Sequence, residues 1–200
     1  MQQAIARLAE AGFDVVHPFD APQAAREPGL ERLDGAQRLG LLVANTRALW
    51  PRFTAAAEST NDPLDRYTER TIDAGFPGAR VYYGHRRYDG AFLPLQRLAV
   101  VTGLGALAAN HLVIHPVYGP WFALRAVIVV DGEPVAHAPI AQPCRCGVEC
   151  AETLHSAIAG AGDWRAWLAV RDACSLRAWR YSEDQIRYHY TSARSRTITG

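Results

Sequence analysis

The sequence predicts an α+β domain with a central antiparallel or mixed sheet flanked by helices, and three observations carry that prediction. Two strongly apolar runs meet across a short aromatic turn in residues 111–130, HLVIHPVYGPWFALRAVIVV. Apolar residues recur at helical spacing on the N-terminal side of that stretch, and the chain from about residue 151 onward reads as helix. With 200 residues and 49% apolar content, the whole chain, 1–200, can bury a real core and is read as one domain with a helical C-terminal portion.

The elements follow in order. Residues 1–13, MQQAIARLAEAGF, read as a short amphipathic helix closed at Gly12. Leu39 to Val43 is a buried strand, and Trp50, Phe53, Thr54 and Ala57 recur at helical spacing, with Pro51 either kinking that helix or marking its first turn. Asn61-Asp62-Pro63 supplies a capping side chain followed by proline, a helix start, and Gly75 closes the helix. Val81 to Tyr83 is a second strand, and residues 86–90 form a turn. Leu95, Leu98, Ala99 and Thr102 mark a helix before the small-residue segment TGLGALAAN. The two apolar runs are then expected to pair as a β-hairpin with His115, Tyr118 and Trp121 at its tip. The second arm, residues 121–130, has too few polar residues for one wet face, so it belongs in the middle of the sheet. Residues 134–143 read as loop, 151–159 and 164–173 as helices, and a last helix opens at Ser182, with Gln185 placed to complete a capping box.

Charge excludes some functions. A net charge of +1 gives no field of the kind that holds a protein on nucleic acid or an anionic membrane, so neither is an expected partner. All 21 basic residues are arginine; genome composition explains that simply, although arginine's planar fork also suits carboxylates and phosphates. The N-terminus lacks the apolar core of a secretory signal, and the longest apolar region, 95–114, is broken by glycines, Asn110 and His111. The expected compartment is the cytoplasm, where Cys144, Cys146, Cys150 and Cys174 stay reduced unless bound or reacting.

The chemistry-bearing residues leave several readings open. The small side chains of residues 102–110 leave room for something bulky to rest on the backbone, and the turn at His115 to Trp121 reads as the rim of a ligand pocket. Cys144, Cys146 and Cys150 could hold zinc or part of an iron–sulfur cluster, contact a ligand as thiols, or simply pack; their spacing fits no common metal pattern, and no resident metal is expected. His115 could ligate a metal through a neutral ring nitrogen, but a histidine beside proline in a turn is more often structural. His85 and His189 carry no usable signal. The tryptophans at 164, 167 and 179 read as core or as walls of a pocket, with core favoured, and the arginines from Arg171 to Arg196 mostly as solvated surface, although a tail that folds back could hand one or two to an anionic cosubstrate.

Several separated motifs, in order, resemble a known family: LLVANTRALW from Leu41, DPLDRY from Asp62, VIHPVYGPWFALRAVIVV, WRAWLAVRDA from Trp164 and RYSEDQ from Arg180. Together they are similar to the cobalamin-processing proteins of the CblC type, over about Leu39 to Arg196. Residues 102–122 followed by CGVECAETLHSAI are also distantly similar to the cobalamin-binding core of epoxyqueuosine reductases and reductive dehalogenases, although the iron–sulfur motifs of those enzymes are broken here. The resemblance implies a nitroreductase-like fold and an enzyme that takes a cobalamin in its base-off form. It implies removal of the upper axial ligand by thiol-dependent dealkylation or reductive decyanation, with glutathione or another small thiol as cosubstrate, or with FMN or FAD. The processed cobalamin would pass to a downstream cobalamin-dependent enzyme or an adenosyltransferase. Corrin contacts are expected from Ala108, Ala109, Asn110, His111, His115, Tyr118, Gly119, Trp121, Phe122, Ala123, Leu124, Cys144 and Cys146, and thiol contacts from Arg171 and Arg196; no catalytic side chain is singled out. A carrier without chemistry, or a flavin oxidoreductase that never meets a corrin, are the alternatives.

Overall fold

The computed structural model describes residues 1–56, 61–140, 149–160 and 163–191. In chain order these form α1 (Gln2–Glu10), β1 (Val15–Asp20), α2 (Ala21–Ala24), a 3-10 turn (Glu31–Leu33), β2 (Leu39–Asn45), α3 (Leu49–Ala56), α4 (Pro63–Gly75), β3 (Arg80–Tyr83), β4 (Arg87–Tyr88) and β5 (Ala91–Phe92). The order continues with α5 (Leu95–Val101), β6 (Ala106–Leu107), β7 (Val113–Ile114), β8 (Ala123–Val130), α6 (Glu149–Ala159), α7 (Trp164–Asp172) and α8 (Glu183–Thr191).

The main sheet runs β1-β2-β8-β3, antiparallel throughout, and its two faces pack on different helices. Side chains alternate across a strand, so Leu42, Ala44, Val127 and Val129 join Phe19, Leu30, Leu98 and Ala99 on one side. Leu41, Val43, Ala126 and Ile128 join Leu8, Phe13, Phe53 and Ile72 on the other. Every residue of β2 is therefore buried, which explains why an antiparallel strand reads as an unbroken apolar run. β8 lies between β2 and β3, in the interior position its composition demands. Pro18 sits in β1, an edge strand that can spare an N–H, and that proline hid the strand from periodicity alone. Asp89 and Gly90, with φ of 49° and 84°, make the two-residue turn between β4 and β5.

Three local expectations change. The two apolar runs do not pair with each other: β7 turns back onto β6, with Ile114 opposite Ala106, while β8 pairs with β2 and β3. Residues 115–119 close on themselves instead, through reciprocal His115–Gly119 backbone bonds of 2.9 Å, so the chain leaves this turn in a new direction. Asp62 precedes α4 in a left-handed conformation, φ 53°, and its side chain makes no capping bond. At α8, Ser182 Oγ accepts from the Gln185 N–H at 3.3 Å, but the Gln185 amide is buried and does not return the bond, so only half of the capping box forms. Pro51 lies in the first turn of α3, and Gly12 and Gly75 close α1 and α4 as expected.

Candidate functional site

A cavity of about 750 Å³ opens where the ends of β3 and β8 meet α5 and the segment after β6. Its size lies within the range of small-molecule and cofactor sites. Leu112, Val113, Pro120, Phe122, Ala123 and Leu124 form one wall, and Gly84, Leu93, Pro94, Leu95 and Gln96 another. A Cβ at Gly84 would lie 2.8 Å from Leu95 Cδ1, so the absent side chain lets Leu95 pack directly against the strand end. Asp65, His85, Arg125, Arg171 and Tyr190 bring the charged and polar groups.

Arg125 is the unusual member. It is the one charged residue in the apolar stretch 113–130, and it sits at an irregularity in the sheet: Leu124 faces Ala44 and Ala126 faces Val43, leaving Arg125 unmatched on β2. Bulges of this kind re-aim a side chain. Its backbone carbonyl accepts from the Gly84 N–H at 2.8 Å, and its Nε donates to the buried Asn45 Oδ1 at 2.6 Å. Nη2 is buried with no hydrogen-bond partner. Burial pulls the guanidinium down from the usual arginine range; the nearby Asp65 carboxylate only partly opposes it. A buried guanidinium with an unpartnered N–H carries a desolvation cost that an anionic partner would relieve.

Arg171 enters from the end of α7. One N–H donates to the Pro120 carbonyl, and the guanidinium lies 4.6 Å from the Trp121 ring centroid and 5.1 Å from that of Tyr181. Arg180 covers Trp121 from 5.5 Å and is itself held by Asp172 at 2.7 Å. The indole is thus a fully buried platform for two arginines. Beside Tyr181, burial and then the charges of Arg125 and Arg171 push His189 down to about 3, so the ring is neutral.

Among the residues singled out from the sequence, Phe122, Ala123, Leu124 and Arg171 line this cavity. Trp121 packs behind it, fully buried, rather than at a rim. Ala108, Ala109 and His111 lie on the neighbouring β6–β7 turn, outside the lining; buried Asn110 serves that turn by accepting from the Leu112 N–H at 3.1 Å. His115 stacks on Tyr118 at 4.4 Å, and its Nδ1 accepts from the N–H groups of Val117 and Tyr118 at 3.0 and 3.3 Å. Burial, reinforced by His17, lowers His115 to about 4, so it is a neutral turn-former. Gly119, φ 59°, brings this turn against Leu176: an added Cβ would lie 2.4 Å from the Leu176 carbonyl oxygen. Cys144, Cys146 and Arg196 lie outside the described residues; Cys150 is buried in α6. Among the described residues no three histidine, cysteine or acidic side chains are grouped to hold a metal ion, and no helix is long and apolar enough to cross a membrane.

Residues 79–198 match the model of the methylmalonic aciduria and homocystinuria type C family, a span that includes β8, α7 and most of the cavity wall. The chain belongs to that family. A segment of 78 residues is 36% identical to the cyanocobalamin reductase / alkylcobalamin dealkylase of Bos taurus, covering 39% of this chain and 27% of that protein. The aligned part is thus little more than a quarter of the curated relative. Among solved structures, the B12-trafficking protein CblC of C. elegans aligns over 94% of this chain and 89% of its own with a TM-score of 0.66 at 15% identity, which establishes the shared fold. An epoxyqueuosine reductase solved with a tRNA stem loop covers 76% of this chain and 50% of its own at 18% identity and TM-score 0.49. The fold is α+β, as the motifs implied, and is shared with that CblC protein.

Family membership gives context to the residues that sequence reasoning passed over. Asp65, His85 and Arg125 all line the cavity, and only Arg125 left a trace: a lone charge within a strand too apolar to have a wet face must be buried with a task.

Proposed function

We propose that this cavity binds a cobalamin and that the protein removes its upper axial ligand with a small thiol before passing the corrin on. The observation that carries the reading is the broad apolar lining of a cavity that Arg125 and Arg171 also border. A corrin is wide and nearly flat; Leu112, Val113, Phe122, Ala123 and Leu124 offer it a face without charge. Arg125 and Arg171 offer carboxylates of a thiol such as glutathione a seat beside that face, and the idle Nη2 of Arg125 is the donor waiting for one.

The chemistry divides between ligand and protein. Displacement of the lower base weakens donation to cobalt, and attack by thiolate on the upper alkyl carbon then leaves cob(I)alamin and a thioether. The protein's share is to hold sulfur and carbon in line and to exclude water. Corrin contact by Ala108 to His111, His115, Tyr118, Cys144 and Cys146, and a thiol contact from Arg196, remain part of this proposal, as does transfer to a downstream cobalamin-dependent enzyme or adenosyltransferase. Anaerobic incubation with methylcobalamin and glutathione tests it. Cob(I)alamin and S-methylglutathione are the expected products; a bound alkyl spectrum that never changes would replace the enzyme with a carrier.

A further inference from the structure

The same cavity carries a group that the proposed function does not use. His85 lies two residues past the end of β3 and faces α4, where two carboxylates one helical turn apart meet it: Nε2 lies 2.7 Å from Glu69 Oε1 and Nδ1 3.7 Å from Asp65 Oδ1. A carboxylate can only accept, so Nε2 donates to Glu69, and in the neutral ring Nδ1 carries the lone pair. At 3.7 Å the Asp65 contact is too long for a hydrogen bond, so Nδ1 is not consumed by it. Glu69 is in turn pinned by Arg86 Nε at 2.7 Å. Burial works against ionisation of this carboxyl, but the hydrogen bonds from Arg86 and His85 outweigh it and hold it below the usual glutamate range. The Tyr83 ring stacks on the imidazole with centroids 5.5 Å apart, and its hydroxyl donates to Asp73 at 2.5 Å. Among the described residues, the charged and titratable groups at the ring are Asp65 and Glu69 from α4 and Tyr83 and Arg86 from the strand side, with Asp73 behind Tyr83. Base, carboxylate and a fixed orientation are the parts of an activated nucleophile site.

Position ties this group to the arginines. Gly84 donates its N–H to the Arg125 carbonyl, and Asp65 acts electrostatically on Arg125 while flanking His85. His85, Asp65, Arg125 and Arg171 all border one cavity. A thiol has to lose its proton before it attacks, and with a free cysteine thiol titrating near about 8.5, little thiolate is present at neutral pH. The arginines cannot accept that proton.

We infer that His85 is the catalytic base that takes the thiol proton in the dealkylation proposed above, with Glu69 as the positioning residue that fixes its tautomer. The S–H proton passes to His85 Nδ1, and the sulfur lone pair forms the S–C bond. The Co–C bonding pair stays on cobalt, which falls from Co(III) to Co(I), and the imidazolium later returns its proton to water. The inference rests on the thiol-dependent reading of the cavity.

The test compares wild type, His85→Gln and Glu69→Gln across pH with methylcobalamin and glutathione, recording both the spectrum of the bound corrin and the dealkylation rate. Base-off binding should be equal in all three. At pH 7 His85→Gln should lose about 100-fold in rate, the low end of what a positioned base supplies. By about pH 9.5 glutathione ionises unaided and the deficit should shrink below about threefold. Glu69→Gln should show a smaller loss of the same shape, and added imidazole should restore part of the His85→Gln rate at pH 7. Equal rates for wild type and His85→Gln at pH 7, or a deficit that does not change with pH, overturn the role of His85 while leaving the cavity's assignment intact. A wild type that neither shifts the corrin spectrum nor dealkylates overturns that assignment instead.

Discussion

Replacing Arg125 by methionine separates ligand binding from stability. In the free protein the guanidinium is buried, has one hydrogen bond to Asn45 and leaves Nη2 idle. Methionine has similar length, fills the space and removes the charge. Exchanging an incompletely paired buried ion for an apolar side chain stabilises a protein by about 1–4 kcal/mol in comparable cases. Against that, Asn45 Oδ1 loses its donor, a loss of about 1–3 kcal/mol for a buried acceptor. The two terms offset, so the urea unfolding free energy of Arg125→Met should stay within about 1 kcal/mol of wild type. Thiol binding has no such compensation. A hydrogen bond to a charged group contributes about 1.5–3 kcal/mol, equivalent to roughly 10- to 150-fold in KM for glutathione at 1.36 kcal/mol per decade. The assays are a urea titration followed by tryptophan fluorescence and a glutathione saturation curve at fixed methylcobalamin. A variant destabilised by 3–5 kcal/mol with an unchanged KM would refute the reasoning, because Arg125 would then be a structural ion.

Other outcomes follow from the same geometry. Trp121→Ala should lose about 3–5 kcal/mol of unfolding free energy, the range for emptying a buried aromatic site; a stable variant with weakened corrin affinity would instead put the indole in the binding surface. Gly119→Ala must adopt φ near 59° and push on the Leu176 carbonyl, so it should lose at least about 2 kcal/mol by thermal denaturation, and an unchanged melting temperature would contradict the close approach. Acid should destabilise the protein before its carboxylates titrate. His189, near 3, and His115, near 4, stay neutral in the folded chain but take protons below about pH 6.5 when unfolded, so their stabilisation is present above 6.5 and fades as pH falls toward those values. Between pH 7 and 5 the loss is about 2 kcal/mol from His189 and about 1 from the more exposed His115, roughly 3 in all by chemical denaturation. A flat profile over that range would mean the rings are not held neutral.

How far the sequence could be read depended on whether the deciding contact was local. β8 was legible as an interior strand because its composition leaves no wet face, and the Asp89-Gly90 turn because its residue types dictate positive φ. β1 was not, since Pro18 and His17 break its pattern and only its place at the sheet edge makes the proline tolerable. Trp121 beside Pro120 and Gly119 looks like a turn residue; what buries it are Arg171, Arg180 and Tyr181, some fifty to sixty positions away, and no periodicity reports that. Phe122, Ala123, Leu124 and Arg171, named from the family motifs, line the cavity. His85 was invisible because its meaning lies in Asp65 and Glu69, which share a helix face that only folding brings opposite it.

The ultraviolet–visible spectrum of methylcobalamin titrated with this protein tests the central claim most directly. Seating the corrin in the cavity without its lower base predicts a blue shift of the main visible band that saturates at one cobalamin per chain. Bands that stay at their free-solution positions when protein is in large excess would contradict the assignment of the cavity.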